Sequence, residues 1–268
     1  MSSGRLQPLT ALPEATRRAL RGVLTDIDDT LSTHGRITAA AYAAMEQLRA
    51  RGLLVIPVTG RPAGWCDHIA RMWPVDAVVG ENGALYMIRH DRHGKLRKRY
   101  MDDAATRERA RARLDAIAER ILREVPGAAL ASDQLYRESD LAIDYCEDVP
   151  ALPSEAVDRI VALMKSEGMT VRISSIHVNG WFGAYDKLAM TRVLLREEFG
   201  IDLEQDRDRL LFAGDSPNDE PMFAFFPNSV GVANVRRFAD RMAVLPRYVT
   251  TREAGVGFAE LAGFLATG

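Results

Sequence analysis

The chain has 268 residues, 47% hydrophobic and 27% charged, with a formal net charge of −2. Those proportions exclude a disordered or fibrous chain, and the near-neutral charge excludes a global field for holding nucleic acid or an anionic membrane. The length allows one core domain with a smaller domain inserted. No apolar run reaches the ~18–20 residues of a membrane span. The opening MSSGRLQPLTALPEATRRAL lacks the apolar centre of a signal peptide, so a cytoplasmic protein is expected. Cys66 and Cys146 lie far apart without metal-ligand spacing, which argues against a disulfide framework or a zinc site.

The first twenty residues read as a helix or loose arm. From Arg21 to about Gly80, GVLTDID reads as a strand, ITAAAYAAMEQLRARG as a helix stopped by Gly52, and LLVIPVTG as a second strand. A helix follows through GWCDHIARMW, and DAVVGENG is a third strand. Continuously apolar strands joined by helices indicate a doubly wound, Rossmann-like parallel sheet covered on both faces, an α/β class.

The texture then changes. ALYMIRHDRHGKLRKRYM alternates around a His-Gly turn like an antiparallel hairpin. TRERARARLDAIAERILREV reads as a helix ended by Pro126-Gly127, and its interleaved acidic residues make it a solvated face rather than a polyanion site. LYRESDLAIDYCED reads as strand, SEAVDRIVALMKSEG as helix and MTVRISSIHVNGWF as one last strand. From Tyr185 the α/β texture returns through DKLAMTRVLLREEFG, RLLFAGDS, NDEPMFAFF, NSVGVAN and GVGFAELAGFLA. The expected division is a core of residues 1–84 and 185–268, interrupted by an inserted α+β domain over 85–184.

Three expected strands end in unusual chemistry: VLTDIDDT, VIPVTGRP and LLFAGDSPND. Ligands of open parallel sheets sit beyond the carboxyl ends of the strands, which would bring together Asp26, Asp28, Thr59, Arg61, Asp215 and Asp219, with Lys187 nearby. Clustered carboxylates repel one another and raise each other's pKa unless a cation is present. A hard divalent cation, Mg²⁺, fits carboxylates drawn from separate strand ends together with phosphate oxygens. It would neutralise Asp26 and Asp215, while a lysine and a threonine hydroxyl surround the remaining phosphoryl oxygens.

DIDDT at Asp26–Thr30, VTGRP with Thr59, Lys187, and GDSPND with Asp215 and Asp219 follow one another in the order of the four motifs of haloacid-dehalogenase-superfamily phosphatases, which the sequence resembles over about two thirds of its length. The insertion after GENGA resembles the cap-carrying Cof-type and sucrose-phosphate-phosphatase-like subfamily. The resemblance implies an HAD-like core with an inserted cap, and a phosphoaspartyl mechanism. Asp26 is then the nucleophile and Asp28 the general acid and base, its backbone carbonyl also a metal ligand. Thr59 and Lys187 hold the phosphoryl group, and Asp26, Asp28, Asp215 and Asp219 form the metal site. An aspartate at position 28 is the phosphatase and phosphomutase pattern, and the motifs leave those two open, with a non-catalytic sugar-phosphate-binding module as a third alternative.

Substrate binding is expected from Arg61, from Asn82 of GENGA, and from His177, Asn179 and Trp181, which alternate onto one face of the last cap strand above the phosphate. An asparagine beside a tryptophan suits a sugar. The expected partner is a small phosphorylated metabolite, with no nucleic acid and no membrane.

Overall fold

The computed structural model describes residues 6–90, 94–174 and 176–267. In chain order the main strands are β1 (Gly22–Thr25), β2 (Leu54–Pro57), β3 (Val78–Gly80), β4 (Leu85–His90), β5 (Lys95–Tyr100), β6 (Asp140–Asp144), β7 (Thr170–Ile173), β8 (His177–Trp181), β9 (Leu210–Gly214) and β10 (Asn228–Gly231). The main helices are α1 (Ala39–Ala50), α2 (Ala63–Met72), α3 (Ala104–Glu124), α4 (Ser154–Ser166), α5 (Lys187–Phe199) and α6 (Ala254–Ala266).

The core sheet is wholly parallel, in the spatial order Gln7–Pro8, Tyr248–Val249, β10, β9, β1, β2. Every residue of β1 and β9 is buried, the condition their unbroken apolar runs require. One face packs Met45 and Leu48 of α1, Ile69 of α2 and Phe258 and Leu261 of α6. The other packs Met190, Leu194 and Leu195 of α5. This is the α/β architecture expected from the sequence. The N-terminal arm adds a two-residue strand to the sheet edge and a short helix, Glu14–Ala19.

The hairpin β4–β5 is part of this core. It pairs antiparallel with β3, which a parallel bridge from Val58 to Val79 joins to the end of β2. Leu85 and Met87 are buried in one core cluster while Tyr86 and Ile88 are buried in the other, so β4 is covered on both faces. The boundary expected at residue 85 therefore moves to the loop after Tyr100. Of the turn expected in this hairpin, residues 91–93 lie outside the described residues.

The inserted unit is an antiparallel sheet ordered β7, β8, β6, Ala129–Leu130, with α3 and α4 on one face. Leu114, Ile117 and Ile121 of α3 and Ile160, Leu163 and Met164 of α4 pack on Leu141, Ile143 and Val178 there. The opposite face looks toward the core. MTVRISSIHVNGWF forms two strands rather than one, because the Ser174 hydroxyl accepts the N–H groups of Ile176 and His177 and reverses the chain. A small hairpin, Ser32–Thr33 with Arg36–Ile37, was not anticipated; His34 and Gly35 at its tip have φ of 49° and 71°, as a type I′ turn requires. No helix among the described residues is long and apolar enough to cross a membrane.

Candidate active site

The carboxyl ends of the core strands meet. Asp26 follows β1 and its N–H still donates to the Ala213 carbonyl of β9 at 2.9 Å, so the first residue past the strand is fixed by the sheet. Lys187 opens α5, which is capped by the Asp186 carboxylate accepting the Ala189 N–H. Its Nζ donates to Asp26 Oδ1 at 2.8 Å and to Asp219 Oδ1 at 2.8 Å. Two glycines permit this packing. Gly83, at φ 105°, lies so close to the Asp186 carbonyl that a Cβ would collide with it, and a Cβ on Gly214 would strike the Asp219 carboxylate.

Asp26, Asp215 and Asp219 are buried, with one carboxylate oxygen from each lying within 4.8 Å of the others. Asp219 Oδ2 accepts the Asp215 N–H at 3.1 Å. Asp215 accepts from neutral donors, the Thr30 hydroxyl at 3.2 Å and the Asn234 amide at 3.0 Å. Burial drives the Asp26 carboxyl up to about 8; the Lys187 ammonium pulls it down, and Asp219 and Asp28 push it up again. Burial likewise holds Asp215 well above the usual carboxylate range, with Asp219 and Asp26 adding to the shift. Burial alone would lower the Lys187 pKa, yet Asp219 and Asp26 more than offset it and hold it above the ordinary lysine value. One ammonium thus leaves three buried carboxylates under-compensated, and their oxygen donor set fits a metal cation.

The cap seats directly on this cluster. Asp26, Asp28 and Arg61 from the core and His177, Asn179 and Arg137 from the cap line a cavity of about 10 Å³, room for about one water molecule. Arg61 forks onto Asp28, with Nε at 3.0 Å and Nη2 at 2.9 Å from Oδ1, and reaches the cap through Asp133 at 3.2 Å and Glu147 at 2.9 Å. His177 Nε2 lies 2.8 Å from the other Glu147 oxygen. His177 and then Arg61 hold the Glu147 carboxyl down to about 2 against the effect of burial. From the cap, Arg137 donates to the Gly60 carbonyl at 2.8 Å while paired with Asp133 and Asp140.

Glu81 is the second tie. Glu81 and Asn82 both occupy the left-handed region, at φ of 45° and 54°, a conformation unfavourable for these residues without support. The support is visible: the Glu81 carboxylate accepts the N–H of Ala63 at 2.9 Å in the core and those of Glu138 at 2.8 Å and Ser139 at 2.6 Å in the cap. Glu81→Ala would strand three N–H groups and is expected to cost about 3 kcal/mol or more of stability, since an unsatisfied buried donor costs about 1–3 kcal/mol. Urea unfolding checks this, and an unchanged midpoint would remove Glu81 from the seam.

The expected site residues divide. Asp26, Lys187, Asp215 and Asp219 are brought together, and Asp28, Arg61, His177 and Asn179 border the cavity above them. The buried Thr59 hydroxyl accepts the Arg61 N–H at 3.0 Å. Asn82 lies against Gly60, its Nδ2 buried without a partner among the described residues. Arg61, expected to face substrate, is engaged by three carboxylates instead. Trp181 shares the face of His177 and Asn179 as expected but is not in the cavity. It stacks on Tyr185 with ring centroids 5.8 Å apart, and its Nε1 donates to the Tyr185 carbonyl at 3.1 Å. At the end of β8, beside the chain's return to the core, that face meets the hinge rather than the strand ends. Thr30, Glu81, Asp133, Glu147 and Asn234 were not anticipated; for Asn234 the signal was its place three residues beyond the end of β10, the strand that pairs with β9.

A parallel α/β sheet that gathers buried carboxylates and a lysine at its strand ends beneath an inserted cap defines a hydrolase of the phosphatase kind. Residues 23–139 match the family description of the haloacid dehalogenase-like hydrolases. A curated relative, phosphoglycolate phosphatase of Methanospirillum hungatei, is 26% identical over 252 residues, covering 90% of this chain and 95% of its own. The crystal structure of the Synechocystis sucrose-phosphatase superposes with a TM-score of 0.63 at 18% identity, covering 92% of this chain and 98% of that one. A Thermoplasma acidophilum protein gives 0.67 at 20% identity, with coverage of 92% and 98%. A trehalose-6-phosphate phosphatase related protein gives 0.60 at 16% identity, with coverage of 91% and 96%.

Proposed function

We propose that the protein is a Mg²⁺-dependent phosphatase that hydrolyses the phosphate monoester of a small metabolite, a sugar phosphate, through an aspartyl-phosphate on Asp26. The observation that carries this reading is the buried Asp26 carboxylate held at 2.8 Å by Lys187 and grouped with Asp215 and Asp219. When bound by Asp26, Asp215, Asp219 and the Asp28 backbone carbonyl, Mg²⁺ would supply charge neutralisation between nucleophile and phosphate.

The chain's own residues do the rest. An Asp26 oxygen attacks phosphorus, the bond from phosphorus to the leaving oxygen breaks, and Asp28 gives that oxygen its proton. Water then attacks phosphorus, Asp28 takes the proton, and the phosphoaspartyl bond breaks, which returns both carboxylates to their starting state. Lys187 and the Thr59 hydroxyl, whose proton is available while it accepts from Arg61, hold phosphoryl oxygens. The orphaned Asn82 amide supports a role as a further donor. His177 and Asn179 border the space above Asp26 from the cap, and the seam held by Arg61, Arg137 and Glu81 closes that space to bulk water.

One structural neighbour is a sucrose-phosphatase, another is related to trehalose-6-phosphate phosphatase, and the sequence relative is a phosphoglycolate phosphatase, so phosphorylated sugars and phosphoglycolate both belong in the test. Phosphate release is measured over a panel of phosphorylated sugars and phosphoglycolate, with Mg²⁺ and with chelator. Release from a sugar phosphate that chelator abolishes is expected. Phosphoryl transfer between sugar positions without free phosphate would replace hydrolysis by a mutase activity.

A further inference from the structure

Resting on the phosphatase reading, we infer that the leaving group of the substrate is a ring, seated in an aromatic groove on the flank of the site rather than under the cap strand. The cavity above Asp26 has about 10 Å³ and cannot hold a sugar. On the other side of Asp28 opens a groove of about 500 Å³, walled by Ile37, Trp65, His68, Trp73 and, from the cap, Tyr136. That volume is in the range of small-molecule sites. Asp28 is the one aspartate that borders both spaces.

This placement follows from the chemistry of Asp28. A group that protonates the leaving oxygen must touch it, so the remainder of the leaving group extends into space that Asp28 borders. With the cap seated, that space is the groove. Its lining is suited to a ring. Trp65 is 40% exposed and Tyr136 57% exposed, flat faces left uncovered by the fold, while the exposed His68 offers a polar edge to hydroxyl groups. Trp181, the aromatic residue expected to serve this purpose, is consumed by the hinge. Arg61 stands in the partition, forked onto Asp28 and with its guanidinium carbon 4.5 Å from the Trp65 ring centroid. Binding in the groove therefore acts on the residue that restrains the proton donor.

The probes are two ring-bearing esters, glucose 6-phosphate and 4-nitrophenyl phosphate, and one phosphoryl compound without a ring, the mixed anhydride acetyl phosphate. The variants are Tyr136→Ala and His68→Ala; both side chains are exposed, so the packed core does not depend on them. For Tyr136→Ala, kcat/KM on the ring-bearing esters is expected to fall at least tenfold further than on acetyl phosphate, with the loss carried by KM. His68→Ala is expected to discriminate against the hexose and not the aryl ester. A parallel loss on all three compounds, or no loss on any, overturns the groove. Wild-type, Asp26-dependent turnover of acetyl phosphate with neither ring-bearing ester accepted also overturns the groove and leaves the phosphatase reading standing. No turnover of any of the three compounds removes that reading, and the groove with it.

Discussion

Asp26→Asn is expected to lower phosphate release by roughly three orders of magnitude or more, as removal of a nucleophile does, while the protein unfolds at the same or a higher temperature in the absence of metal. The two halves have one cause. Burial pushes the Asp26 carboxyl up to about 8, so the metal-free fold already favours the uncharged form, which the amide imitates in shape. The amide keeps that uncharged form at every pH yet lacks the anionic oxygen that forms the acyl-phosphate bond with phosphorus. Turnover and thermal unfolding of the same preparation test both halves. Retention of more than about one tenth of wild-type turnover would assign the nucleophile elsewhere.

Lys187→Met is expected to be the most destabilising single change in the site. Lys187 is the ammonium between Asp26 and Asp219, and removing one partner of a buried ion pair costs about 3–5 kcal/mol because the other charge is left uncompensated. The pH dependence identifies the cause. Without the ammonium, Asp26 rises further above its unfolded value, so the folded state holds a proton that the unfolded state releases. The unfolded aspartate is common to both proteins, so the deficit relative to wild type is level where both folds hold the Asp26 proton and grows as pH rises past about 8, where the wild-type carboxyl ionises beside the ammonium and the variant's does not. Urea unfolding of both proteins across that range, with and without Mg²⁺, measures it, and added Mg²⁺ is expected to narrow the gap at neutral pH. A deficit independent of pH would mean that Lys187 acts by packing alone.

The legible part of this protein was its chain-local chemistry. β1, β2 and β9 announced themselves as apolar runs ending in Asp26, Thr59 and Asp215, and a parallel sheet brings such ends together whatever the loops between them do. The hairpin β4–β5 was misplaced because alternation reports that a strand has two faces and not which domain covers them; Tyr86 and Ile88 face a second buried cluster that a single strand does not reveal. The division of 170–181 into two strands turned on one hydroxyl, that of Ser174. The seam was the least legible. Arg61, Asp133, Glu147 and His177 are separated by up to 116 positions, counted from 61 to 177, and their pairing depends on how two domains meet. Trp181 shows the same limit at closer range, since the face was right and the distance along the strand decided what it touched.

The Glu81 carboxylate gives the seam a further property. Its three donors belong to both sides, Ala63 to the core and Glu138 and Ser139 to the cap, and they share a single acceptor group. A cap lifted by a small angle would lose the two cap donors together while the core donor stayed, so intermediate positions carry the full cost of separation without the solvent that rewards complete opening. One carboxylate thus couples the two cap donors to each other and to the core donor, so the seam at Glu81 holds or yields as a unit.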